Sequence, residues 1–76
     1  MQLTQLQPVR EDNKLIGWSA RFTDDEGQVR LAHLGLGCLM SPSAFVEAVA
    51  RQGVRFAPSC GQDLPAWRDF VQSVTS

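Results

Sequence analysis

One histidine and two cysteines are the only imidazole and thiol groups in the sequence. Cys38 and Cys60 stand outside any CxxC pattern, and His33 cannot complete a zinc set with them. A Cys–His nucleophile needs a base beside the thiol, yet His33 and Cys38 are separated by a glycine-containing loop, with no carboxylate placed to orient the imidazole. Cys38 therefore reads as a small core residue and His33 as a strand residue. Gly35 and Gly37 lack the further glycine and the Lys-Ser/Thr of a phosphate-binding fingerprint. Asp24, Asp25 and Glu26 cluster without EF-hand spacing. The chain is thus expected to be no enzyme and to hold neither cofactor nor metal.

Long apolar runs are missing as well. No stretch approaches the ~20 residues of a membrane span, and the opening MQLTQLQPVRED lacks the apolar centre of a signal peptide. A cytoplasmic setting with free thiols is expected. Seven Lys and Arg against eight Asp and Glu leave a formal charge of −1, so no global field draws the chain to nucleic acid or to an acidic membrane. Electrostatic binding would have to come from a local patch. Six of the seven cations are arginine, the residue better suited to forked contacts with phosphate or carboxylate.

Apolar residues, at 43% of the 76 positions, suffice for a globular core built on Trp18, Trp67, Phe22, Phe45, Phe56 and Phe70. The length fits one domain, residues 1–76, near the lower end of self-sufficient cores. Homo-oligomerisation or docking on a partner is a natural remedy.

Residues 2–9 alternate weakly and read as a strand that Pro8 confines to an edge or ends. Residues 10–14 form a charged turn. Residues 15–23 read as a second strand with Trp18, Ala20 and Phe22 on one face and Gly17, Ser19, Arg21 and Thr23 on the other. Residues 24–27 close a hairpin, with Gly27 free to take positive φ, and residues 28–34 return. A four-residue loop places Phe22 across from Val29, Arg21 from Arg30 and Trp18 from His33. The core side of the hairpin is then Trp18, Phe22, Val29 and Leu31. A different loop length would slip this register. Sharing a face with Phe22 points Trp18 to core packing rather than to stacking on a base.

Residues 35–40 form a flexible, rather apolar connection. Ser41 and Pro42 then start a helix running to about Gln52 and stopping at Gly53. Its buried face is Phe45, Val46, Ala48 and Val49, with Glu47, Arg51 and Gln52 wetter. Residues 54–57 read as a short strand with Val54 and Phe56 inward and Arg55 outward. Asp63 caps a second helix, with Pro65 in its first turn and an apolar stripe at Trp67, Phe70, Val71 and Val74. The expected class is α+β, in the order β-β-β-α-β-α, with a small antiparallel sheet and two helices packed on one face.

Two arginines directly opposite would repel. The blander account is that the acidic tip, Asp24 to Glu26, neutralises them on a solvated sheet face. The functional account makes Arg21 and Arg30 an anion site, widened by Arg10, Lys14 or Arg55, that grips phosphates or a partner's carboxylates.

The strand led by Gly17 and Trp18, the hairpin tip with Asp25 and Gly27, and the return strand at residues 28–34 form a recognisable series. Gly53 follows the helix and leads a hydrophobic-Arg-hydrophobic run to Pro58; a closing amphipathic helix ends near Gln72. This series resembles the N-terminal part of an uncharacterised domain family found in helicase- and primase-like proteins of phages, plasmids and other mobile elements. The likeness spans about 60 of the 76 residues and rests on hydrophobic and turn positions. The chain carries no ATP-binding motif, and residues 35–40 replace the Pro-containing segment usual in that family. The resemblance implies a binding module accessory to replication, contacting nucleic acid or a protein through its hairpin face. An inhibitor of host machinery that docks on a protein, in the manner of an anti-CRISPR, is the alternative.

Overall fold

The computed structural model describes residues 1–75. Three antiparallel strands, β1 (Gln2–Glu11), β2 (Lys14–Thr23) and β3 (Val29–Leu34), lie in the order β1-β2-β3. They are followed by a single 3-10 turn (Leu36–Leu39) and two helices, α1 (Pro42–Ala50) and α2 (Leu64–Val74). The α+β class is as the sequence implies. The helices cover one face of the sheet: Leu3, Leu6, Ala20, Phe22, Ala32 and Leu34 from the strands meet Phe45, Val49, Val54, Phe56 and Trp67 in one buried cluster.

The β1–β2 turn is tighter than a five-residue charged segment. Arg10, Glu11 and Lys14 belong to the ladder, leaving Asp12 and Asn13, both at positive φ (52° and 64°), as the left-handed pair that suits a two-residue hairpin. β1 is an edge strand, where Pro8 is tolerated. Its pairing slips between Leu3 and Gln5. That bulge turns both Leu3 and Leu6 inward and explains why the alternation of β1 is weak in the sequence.

The second hairpin corrects the expected register. Asp24 N–H donates to the Gln28 carbonyl (3.0 Å), and Gly27 N–H donates to the Asp24 carbonyl (3.0 Å). Gly27 takes φ +82°, the geometry of a turn closed by a glycine bulge. Asp24 Oδ1 also accepts from the backbone N–H groups of Glu26 (2.9 Å) and Gln28 (2.8 Å). The closing pair is therefore Asp24 with Gln28, one position later than a loop of residues 24–27 implies. Arg21 lies opposite Leu31, Phe22 opposite Arg30, Ser19 opposite His33 and Trp18 opposite Leu34. One step of slip exchanges the faces of the return strand. Ala32 and Leu34 face the core, whereas Val29 and Leu31 are exposed.

Gly17 sits where β2 passes the end of β3. A Cβ there would run into the backbone oxygen of Leu34, a clash that no side-chain rotation relieves. Gly17→Ala is expected to destabilise the domain by about 1–3 kcal/mol through overpacking, measured as a lower urea midpoint.

Residues 35–40, expected as a connection, include the 3-10 turn. Ser41 caps α1, its Oγ accepting from Ala44 N–H (3.2 Å). At the other end Gly53, with φ +81°, donates to the Ala50 carbonyl, while Val54 N–H donates to the Val49 carbonyl (each 3.0 Å). These are the two bonds of a Schellman motif, and its usual apolar contact is supplied by buried Val49 and Val54. The expected strand at residues 54–57 is absent. Val54 and Phe56 are buried and Arg55 is exposed as the alternation implies, but the segment pairs with no strand. The rings of Phe22, Phe45 and Phe70 lie 5.4, 5.6 and 6.4 Å from that of Phe56, so packing against the core holds this segment extended. Asp63 caps α2, and Trp67 is its buried anchor.

Candidate functional site

The helices leave the other face of the sheet open. Gln5 and Gln7 of β1, Ser19 and Arg21 of β2, and Val29 and Leu31 of β3 line a shallow depression of about 270 Å³ there. Val29 and Leu31, two positions apart on one strand, are 52% and 59% exposed. No carboxylate lines the depression. Arg21 also borders a second hollow, formed with Thr4 and residues 73–75 at the margin of β1. The Arg21 backbone carbonyl is fixed by a hydrogen bond from Thr4 Oγ1 (3.0 Å).

The five expected anion-site residues do not converge. Arg21 shares the outer face with Leu31, while Arg30, one residue removed, stands opposite Phe22 on the helix side of β3. The pair therefore straddles the sheet, and no repulsion arises across one face. Lys14 lies seven strand positions from Arg21 and Arg10 pairs with Leu15 at the same end, about 20 Å or more away. Arg55 sits on the extended segment that crosses the core.

The acidic tip does not neutralise the arginines through ion pairs. The Asp24 carboxylate holds the turn, and Asp25 meets the N-terminal ammonium at 3.8 Å. The other ion pair among the described residues joins Glu47 and Arg51 at 2.8 Å on the surface of α1, a type of pair that contributes little to stability. Among the described residues, no three His, Cys, Asp or Glu side chains gather as a metal site requires. No helix among them is long and apolar enough to cross a membrane.

Sequence reasoning missed Gln52. Its amide lies just beyond α1 and spans the edge of β3: Oε1 accepts from His33 N–H (2.8 Å), and Nε2 donates to the His33 carbonyl (2.6 Å). The side chain thus occupies the place of a neighbouring strand at one residue. Nothing local distinguishes it from any polar residue at a helix end, because the contact joins positions 19 apart in the chain. Gln52→Ala is expected to speed exchange of the His33 amide by about tenfold or more, while exchange at the core amide of Ala32 is much less affected. Proton-exchange NMR reads both. Comparison of the chain with protein-family models, with curated proteins and with solved structures finds no match.

Proposed function

We propose that the protein is a non-catalytic module that binds another protein through the outer face of its sheet. The observation that carries this reading is the make-up of that face: exposed Val29 and Leu31 beside one arginine, with amide and hydroxyl side chains around them. Apolar side chains and arginine without acidic neighbours are typical of the centre of a protein interface. Nucleic-acid binding draws instead on several cations that follow one backbone track, whereas Arg10 and Lys14 lie together at the far end of the sheet from Arg21, Arg30 lies on the opposite face and Arg55 lies outside the sheet. The likeness to domains of mobile-element helicase- and primase-like proteins makes a replication protein the first partner to try.

The test pairs two measurements. Wild-type protein and a folded Arg21→Glu variant are used to capture partners from the native host. A protein retained by the wild type and lost by Arg21→Glu is the expected result, and its identity separates a replication accessory from an inhibitor of host machinery. Labelled single- and double-stranded DNA are titrated in parallel at low salt. Tight DNA binding that falls steeply as salt rises, with no protein captured, would overturn this reading.

A further inference from the structure

The two margins of the sheet are treated differently. Along β1 the edge carries Pro8, two irregularities of register and a parallel bridge from Leu6 to Thr75, devices that discourage an incoming strand. β3 has no proline, and its pairing with β2 runs without interruption. Gln52 occupies only the His33 position.

Hydrogen bonding along an antiparallel strand alternates in direction with period two. The His33 N–H and C=O point away from β2, because Gln52 binds both, whereas the Gln28 carbonyl points towards β2, because it accepts from Asp24 N–H. Between these two fixed points, the backbone groups of Val29 and Leu31 face outward. Those residues are also the two exposed apolar side chains of the outer face. Arg30, between them, projects to the opposite face.

We infer that the free edge of β3 at residues 29–31 accepts an extended acidic segment of another protein as a fourth strand, with a carboxylate beside Arg30 and apolar side chains beside Val29 and Leu31. This rests on the protein-binding reading above and supplies its geometry. Main-chain hydrogen bonds give such an interaction its affinity, and alternate side chains give its specificity. Charge decides against a second copy of the chain as the occupant. A two-fold pairing that uses the outward groups of Val29 and Leu31 sets Val29 against the other copy's Leu31. It therefore puts Arg30 directly against its own counterpart, an unfavourable like-charge pair. Centring the pairing on Leu31 instead requires the His33 groups that Gln52 already binds.

The probes are short, end-capped peptides of alternating Val and Glu, of alternating Val and Lys, and a Val/Glu peptide with N-methylated backbone. The expected result is that Val/Glu shifts the amide resonances of Val29 and Leu31 and slows Leu31 exchange. Val/Lys should bind about tenfold more weakly or worse, and the N-methylated peptide should not bind. Arg30→Glu should reverse the charge preference. Leu31→Pro removes an outward N–H that β2 does not use and should abolish binding with the fold intact, since an edge tolerates proline there; the NMR spectrum checks the fold. Equal binding of Val/Glu and Val/Lys, no protection at millimolar peptide, or concentration-dependent self-association that protects Leu31 would each overturn the proposal.

The partner capture separates the two readings. Loss with Arg21→Glu but retention by both Arg30→Glu and Leu31→Pro refutes the edge and leaves the face. Retention by all three refutes both.

Discussion

Trp67→Ala is expected to cost about 3–5 kcal/mol, the range for emptying a large aromatic site. Trp67 is fully buried, and its ring centre lies 5.2 Å from Phe45 and 5.8 Å from Phe70. The indole Nε1–H donates to the Leu39 carbonyl (3.0 Å), so one side chain joins α2 to the 3-10 turn as well as to the core. A domain of this size has a total stability of about 4–11 kcal/mol. The loss is therefore comparable with everything that holds the chain folded. Urea unfolding followed by circular dichroism should show a markedly lower midpoint, or a chain already unfolded in buffer. Trp67→Phe separates the two contributions, keeping most of the apolar volume while leaving the Leu39 carbonyl without its donor. A loss below about 1 kcal/mol for Trp67→Ala would contradict the packing of α2.

Phe45→Ala is expected to cost a similar amount, about 3–5 kcal/mol, for a different reason. Its ring lies within 6.1 Å of Phe22, 5.6 Å of Phe56 and 5.2 Å of Trp67, at the point where β2, the extended segment and both helices meet. Because Phe45 and Trp67 touch, their losses should not add. A double-mutant cycle should give a coupling of about 0.5–3 kcal/mol. Where the double variant is unfolded, Phe45→Leu with Trp67→Phe keeps the cycle measurable.

Much of this core is legible from residue pattern. Phe45 and Val49 lie on one helical face and Trp67 with Phe70 on another, while the caps at Ser41 and Asp63 and the stop at Gly53 follow from local backbone chemistry. The return strand is the instructive failure. In VRLAHL both alternating sets contain apolar residues, so the larger pair, Val29 and Leu31, looks like the buried one. The turn decides otherwise. A glycine bulge closed by Asp24 and Gln28 moves every later residue by one, and hydrophobicity cannot reveal that choice. The extended segment at residues 54–57 failed in the complementary way, because alternation reports which side chains are buried and carries no information about whether the backbone has a strand to pair with. The candidate surface was less legible still. Arg21 points outward, as the alternation of β2 implies, but Arg30 belongs to the other face, and Gln52 is visible only through a tertiary contact.

The bridge from Leu6 to Thr75 sets a limit on growth. A sheet with two open margins can add copies or partners at both sides, and a head-to-tail contact of that kind propagates into a filament. Here Pro8, the two irregularities of register and the bridge at Leu6 together oppose strand addition along β1. Strand addition at β3, as proposed, would then give the domain a single valence at its edges, and a complex built by that route would end after one step.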